Sequence, residues 1–417
     1  MELKRVVVTG IGTINALGHN LTETWDNMIK GVSGAAPITC FDASKFKTHF
    51  ACEVKNYDPL NYFKKPVARK MDKFTQFAMI AADEAVKDAS IDLDSINKDK
   101  AGVIWGSGIG GLQTFKEEIT EYVQNDFTPH FNPFFIPKMI ADIAAGHISI
   151  KYDFRGPNYA TVSACASSSH ALIDAYNYIR LGKADIFISG GSEHAVTEAG
   201  IGGFNAMRAI STRNDDPKTA SRPFDVGRDG FVIGDGGAAL ILEEYEHAVK
   251  RGAKIYAEFA GGGMSADAHH ITAPHPEGRG ATVVMKNAVD DANLKPEDID
   301  YVNLHGTSTG LGDIAETKAV LNVFGEHAYK LSISSTKSMT GHLLGATGAL
   351  EAIASVMAIT HGQIPPTINH FELDPNIDSK LDFTFNKTKK REVKAALSNT
   401  FGFGGHNASL VFKKFEK

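Results

Sequence analysis

Residues 158–172 read NYATVSACASSSHAL. A short strand-like run passes into small residues, a cysteine follows, and an apolar helix-forming stretch begins. From Ala164 to Leu181 only Asp174 and Arg180 carry a formal charge. The pattern is strand, small-residue turn, buried helix. It returns at residues 330–350 as KLSISSTKSMTGHLLGATGAL. Outside these two copies, strand-like runs such as RVVVTGIG, AGVIWGSG, ADIFISGG and GAALILEE alternate with amphipathic helical segments. A duplicated α/β unit is expected, with sheets covered by helices on both faces. The rhythm restarts after about residue 250. The expected halves are therefore residues 1–250 and 251–417, packed as one body because no linker-like stretch separates them. Residues 120–138, EYVQNDFTPHFNPFFIPKM, break both periodicities and predict a surface excursion.

The 417 residues carry 43% hydrophobic and 22% charged side chains, the composition of an ordinary globular protein. A net charge of -6 gives no electrostatic footprint for nucleic acid. Three cysteines, Cys40, Cys52 and Cys165, lack framework spacing and point to a reducing compartment. The opening MELKRVVVTG has neither the apolar length nor the cleavage site of a signal peptide. No window is expected to reach the roughly 20 apolar residues of a membrane span. The expected setting is cytoplasmic, away from membranes and nucleic acid.

A lone cysteine in an apolar helix is most often structural. Cys165 differs because it directly follows a strand and is expected in the first turn of a helix. There the macrodipole favours thiolate, and free backbone N–H groups can hold an oxyanion. Two of sixteen histidines, His305 in VNLHGTSTG and His342 in STKSMTGHLLG, sit beside glycine just past strand-like runs. Strand C-termini are where α/β sheets present their sites. Lys337 is a cation in an otherwise neutral stretch, and FGFGGHN at 401–407 is a glycine loop holding two phenylalanines. HExxH and paired CxxC motifs are absent, which argues against a catalytic metal.

Together, SACAS around Cys165, HGTSTGLGD at His305, STKSMTGHLLGATG at Lys337 and His342, and SNTFGFGGHN near the end resemble the β-ketoacyl-acyl carrier protein synthases. The resemblance spans essentially the whole chain. It implies a thiolase-like, duplicated αβαβα five-layer fold, with the nucleophilic cysteine in one half and both catalytic histidines in the other. It implies an acyltransferase of fatty-acid elongation that condenses acyl-carrier protein with malonyl-carrier protein. Both histidines being present favours the elongating branch, and Ile109 in GSGIGG resembles its type II enzymes. A polyketide-type ketosynthase and a non-catalytic chain-length partner are the alternatives, the second disfavoured by the cysteine with both histidines.

By the same resemblance Cys165, His305, His342 and Lys337 are the catalytic set, with Glu351 beside Lys337. The amides of Cys165 and Phe403 form the oxyanion hole. Phe401, Phe403 and the facing Asp267 form a gate, and Ile109 and Phe204 shape the acyl pocket. Lys64, Lys65, Arg69, Lys70 and Arg208 are expected to dock the acidic carrier protein. No cofactor is implied beyond a structural monovalent cation at Asn303, Glu351, Ser398 and Asn399. A homodimer is implied as well. Ser168, Asp235 and His406 depart from the residues most common in the family.

Overall fold

The computed structural model describes residues 3–416. Its main sheet has ten strands: β1 (Val6–Asn15), β2 (Ala101–Gly106), β3 (Asn158–Thr161), β4 (Ile186–Glu193), β5 (Gly236–Glu244), β6 (Ala257–Ala266), β7 (Tyr301–Asn303), β8 (Ser332–Ser334), β9 (Ala395–Gly402) and β10 (His406–Lys413). Their order is β8-β7-β9-β10-β6-β1-β5-β4-β2-β3. The first five strands and the last five repeat one arrangement. In each half the opening strand pairs antiparallel with the fifth, the fifth antiparallel with the fourth, and the fourth, second and third run parallel. The halves meet where Val6, Val7 and Val8 of β1 pair with Phe259, Glu258 and Ala257 of β6.

Six helices complete the layers: α1 (Lys73–Asp88), α2 (Ile143–Tyr152), α3 (Ser167–Arg180), α4 (Arg279–Asp291), α5 (Gly310–Phe324) and α6 (Thr347–His361). Helices α1 and α2 cover the outer face of the first half, and α4 and α5 that of the second. Helices α3 and α6 lie between the two half-sheets and touch both. The result is the five-layer αβαβα architecture. The sequence accounts for it locally. All ten residues of β1 are buried, without the alternation of a half-exposed strand, because both faces are covered. Helix α4 buries Ala281, Val284, Met285, Ala288 and Val289, one stripe at helical spacing. Helix α6 is buried almost all round, as its central place requires.

The segment Leu344–His361 is long and apolar enough to cross a membrane. It is the core helix of the central layer with its lead-in turn, and nearly all of it is buried inside the protein. The aromatic excursion does lie on the surface, exposing Phe127, Phe131, Phe134 and Ile136.

Both central helices are entered through a 3-10 turn, Ala164–Ala166 before α3 and Leu344–Ala346 before α6. The first residue of each turn is left-handed, with φ of 50° at Ala164 and 47° at Leu344. Non-glycine residues seldom adopt that conformation, and its cost of roughly 1–3 kcal/mol per residue must be offset by the packing around it. The turns therefore swing sharply from strand to helix, and Cys165 in one corresponds to Gly345 in the other.

Close approach explains why β1 tolerates glycine. A Cβ on Gly12 would lie 2.1 Å from the Ala81 carbonyl and 2.6 Å from the Ala85 nitrogen, both backbone of α1. Gly12→Ala should lower stability by about 1–3 kcal/mol, because backbone cannot rotate away. A denaturant titration should show the midpoint falling with little change in slope.

Candidate active site

Cys165 is buried in the 3-10 turn ahead of α3, two residues before the α-helix begins. His342 follows β8 and the short helix Lys337–Thr340. Its backbone is held by a hydrogen bond to the Val232 carbonyl at 2.7 Å. Its Nδ1 lies 3.0 Å from the Thr347 hydroxyl and its Nε2 3.0 Å from Cys165 Sγ. With Nδ1–H donated to Thr347, the Nε2 lone pair faces the thiol. His305 follows β7, and the two imidazoles are nearly perpendicular, with ring centroids 5.4 Å apart. The sulfur and one nitrogen from each imidazole lie within 4.8 Å of one another. The structure thus brings together three residues separated by up to 177 positions.

Lys337 is buried and its Nζ lies 2.5 Å from Glu351 Oε1 on α6. Burial, and then the Lys337 charge, hold both imidazoles well below the usual histidine range, so both are neutral at pH 7. The thiol corrects an expectation. Burial pushes it up to about 11, although Lys337 and the backbone amides of Phe403 and Cys165 pull the other way. The helix end therefore does not yield a free thiolate. Those two amides lie beside the sulfur, near where an oxyanion on an attached carbonyl would form.

A cavity of about 540 Å³ opens above these groups. Ile109 and Phe204 line it, as do Phe401 and Phe403. Phe401 stands 5.6 Å from the His305 ring, centroid to centroid. Asp267 faces the glycine loop. Its Oδ1 accepts from Asn407 Nδ2 at 2.9 Å, and its N–H donates to the Gly405 carbonyl at 3.0 Å. The Gly404 N–H bonds Ile271 at 2.7 Å, closing a second link between the loops. Gly404 and Gly405 have φ of 89° and 73°, which a side chain would resist. Arg208 is exposed at the cavity wall. Lys64, Lys65, Arg69 and Lys70 are exposed too but do not line the cavity, and Lys70 Nζ sits 5.1 Å above the Phe134 ring.

The implied cation set divides. Asn303 and Ser398 are register partners on β7 and β9. Both side-chain amide atoms of Asn303, and Glu351 Oε2, are buried with no hydrogen-bond partner among the described residues. These oxygens fit a hard cation. The Asn399 side chain does not, because its Oδ1 already accepts from Ser409 Oγ at 2.6 Å and its Nδ2 turns to Glu316 at 3.2 Å.

Two carboxylates escaped the sequence analysis. Glu316 accepts from the N–H groups of His305 and Gly306, both at 2.8 Å, and fixes the turn carrying His305. Glu193, at the end of β4, accepts from Ser107, Gly108, Ile109 and Gly345. Burial pushes each up to about 7 against those donors. For Glu193 the available signal was a charge ending a strand that carries no other; Glu316, within α5, gave none. The departures find local reasons. Ser168 Oγ accepts from the Ala349 N–H at 3.0 Å, joining the central helices. Asp235 accepts from His194 at 2.7 Å and from the Ala195 and Val196 amides. His406 is exposed at the start of β10.

The chain matches the family model for the beta-ketoacyl synthase N-terminal domain over residues 3–248 and that for the C-terminal domain over 256–371. It is 49% identical over 414 residues to 3-oxoacyl-[acyl-carrier-protein] synthase 2 of Staphylococcus aureus (strain COL), covering 99% of both chains. It is 47% identical over 416 residues to the protein of the same name in Synechocystis sp., covering 100% of this chain and 99% of that one. Among solved structures, the ishigamide ketosynthase/chain length factor superposes with a TM-score of 0.93 at 32% identity, over 99% of this chain and 100% of that one. A type II polyketide synthase acyl-carrier protein in complex with its ketosynthase bound to the hexaketide superposes at 0.91, also at 32% identity and with the same coverage.

A thiol with a pKa near 11 is reactive only through its small thiolate fraction. Below that pKa the fraction rises about tenfold per pH unit. Iodoacetamide should therefore alkylate Cys165 faster with each step from pH 7 to about 9, without a plateau. Lys337→Ala should slow the reaction, since the ammonium is the largest influence lowering the thiol. A plateau below pH 8 would show a preformed thiolate–imidazolium pair.

Proposed function

This chain belongs to the beta-ketoacyl synthase family, and we propose that it performs the elongating condensation of fatty-acid synthesis. An acyl group on acyl carrier protein is joined to malonyl-acyl carrier protein with loss of carbon dioxide. The observation that carries this is the 3.0 Å approach of His342 Nε2 to Cys165 Sγ, with His305 alongside, in a cavity of about 540 Å³. Identity of 47–49% to the two 3-oxoacyl-[acyl-carrier-protein] synthase 2 relatives, against 32% to the type II polyketide synthase complex, favours the fatty-acid pathway.

Cys165 attacks the incoming thioester and keeps the acyl group; its thiol proton passes to His342 Nε2 and on to the departing carrier-protein thiolate, which leaves as the free thiol, so His342 is neutral again. The amides of Cys165 and Phe403 hold the oxyanion. Malonyl thioester then loses carbon dioxide, and the enolate oxygen receives hydrogen bonds from His305 and from His342, which now carries its proton on Nε2 while Nδ1 accepts from the Thr347 hydroxyl. Neutral imidazoles suit this step, because each can donate an N–H without first losing a charge. Burial holds them neutral, and the charge of Lys337, paired with Glu351, adds to it. The enolate carbon attacks the acyl thioester, and the Cys165 thiolate leaves. The electron pair for the new bond comes from the C–C bond broken in decarboxylation, so no redox cofactor takes part. A monovalent cation at Asn303 and Glu351 would supply positive charge beside a buried carboxylate.

Phe401, Phe403 and Asp267 form the gate, with glycine hinges. Ile109 and Phe204 bound the acyl pocket, and Lys64, Lys65, Arg69, Lys70 and Arg208 meet the carrier protein. Residues 1–250 and 251–417 act as the two halves. We place the protein in the cytoplasm, in line with three unpaired cysteines. We assign a homodimer joined along β3. That edge of the sheet is open, and beside it Val162 is 63% and Ile150 81% exposed. At the opposite end β8 is bridged by Asp382.

Carbon dioxide release and acyl-enzyme mass separate the half-reactions. Cys165→Ala should make no condensed product yet retain malonyl decarboxylation. His305→Ala and His342→Ala should each lose decarboxylation by about 10²–10³-fold, the usual effect of removing one such donor. Histidine variants that decarboxylate at the parent rate would refute the assignment. For docking, reversing the charges of Lys64 and Lys65 should raise KM for carrier-bound substrate while sparing a small thioester mimic. Equal effects on both substrates would exclude the strip.

A further inference from the structure

Glu193 is fully buried, is held by amides and a hydroxyl with no cation among its influences, and joins two turns that the chain itself never connects. Its Oε1 accepts from Ser107 Oγ at 3.1 Å and from the Ile109 N–H at 3.2 Å. Its Oε2 accepts from the Gly108 N–H at 2.7 Å and from the Gly345 N–H at 3.0 Å. The three amides can only donate, and the Ser107 hydroxyl, which accepts from the Gly110 N–H, turns its own hydrogen to the carboxylate. On one side stands the turn that puts Ile109 into the cavity. On the other stands the 3-10 turn three residues after His342.

The two turns are pressed together at this point. A Cβ on Gly345 would lie 2.3 Å from the Gly108 nitrogen and 2.7 Å from Glu193 Oε2. A Cβ on Gly108 would lie 2.9 Å from the same oxygen. Little slack remains, so a displacement of residues 107–110 must be passed to residue 345 or must break a buried charge-assisted hydrogen bond. The Gly345 turn leads directly into Thr347, whose hydroxyl fixes Nδ1 of His342. Ile109 itself is 41% exposed and lines the cavity, with no hydrogen bond on its side chain to resist a displacement.

We propose that Glu193 is a positioning residue that couples the acyl pocket to His342. An acyl chain long enough to displace Ile109 moves the 107–110 turn, and the shared carboxylate carries the movement to the His342 turn. Decarboxylation of the malonyl unit is thereby tuned to what occupies the pocket. The coupling rests on the assignment above of Ile109 to the acyl pocket and of His342 to the enolate.

The test measures carbon dioxide release from malonyl-carrier protein on enzyme whose Cys165 already carries acyl groups of graded length. In the parent, release should differ by about tenfold between the shortest chain and chains that reach Ile109, a common size for coupling between sites. Glu193→Gln keeps the shape but places an NH₂ group among four donors, and the length dependence should collapse to within about twofold. Glu193→Asp keeps the charge but is too short to hold both turns, and should lose the dependence as well. Ile109→Gly removes the group that the chain displaces, so it should flatten the dependence whether or not the Glu193 variants fold. Retention of the parent's length dependence in Glu193→Gln or in Ile109→Gly would overturn the coupling. So would an equal loss of acylation and decarboxylation at every length in Glu193→Gln, since that is a purely structural effect. An enzyme whose Cys165 accepts no acyl group would instead refute the functional assignment on which the coupling rests.

Discussion

The contact between the two central helices, α3 and α6, is the constraint on which the site depends. They lie between the half-sheets and meet through small residues. A Cβ on Gly348 would fall 2.0 Å from Ser169 Oγ, and Ser168 Oγ accepts from the Ala349 N–H at 3.0 Å. Larger residues at either place would push the helices apart. Because each helix is entered through a left-handed 3-10 turn, their close approach also fixes the distance between those turns. That geometry brings a sulfur from one half within 3.0 Å of an imidazole from the other. Duplication is thus more than an architectural echo, since each half contributes one member of the reacting pair.

The electrostatics follow from the same burial. A site this dry disfavours every charge, and the structure responds by pairing or neutralising each one. Lys337 is matched by Glu351, with both side chains only 2% exposed. Such a pair is weak evidence for stability, because desolvating two ions costs about as much as their attraction returns. Its effect on the neighbours is plainer: the ammonium helps to keep two imidazoles neutral and tempers the rise of the thiol. Glu316 and Glu193 use backbone and hydroxyl donors instead of cations, and so act as fixed anchors for the turns around them.

Much of this was readable from residue order. The duplication showed in two strand–turn–helix units, at 158–172 and 330–350. The strands showed as apolar runs and their ends as glycine clusters, because covered strands are apolar throughout and close turns exclude side chains. The residues of the site could be singled out for a related reason. A cysteine, a lysine and two histidines stood where apolar or small neighbours gave them no solvent-facing purpose.

What sequence could not supply was distance and solvation. The expected shift of Cys165 toward thiolate considered a helix end and took no account of burial, which depends on β-strands and loops far along the chain. The long apolar stretch at 344–361 has the length and composition of a membrane-crossing helix; only its place between two half-sheets makes it a core helix. Asn399 was a plausible oxygen ligand by type, yet Ser409, its partner on the neighbouring strand, claims that oxygen. Glu193 and Glu316 escaped because a carboxylate's role depends on which amides reach it, and those amides come from turns that meet only in three dimensions. Sequence therefore determined which elements form and which groups carry chemistry, since periodicity and residue type are local properties. Tertiary structure alone decided which groups touch and which are dry, because contact and burial are set by packing between segments hundreds of residues apart.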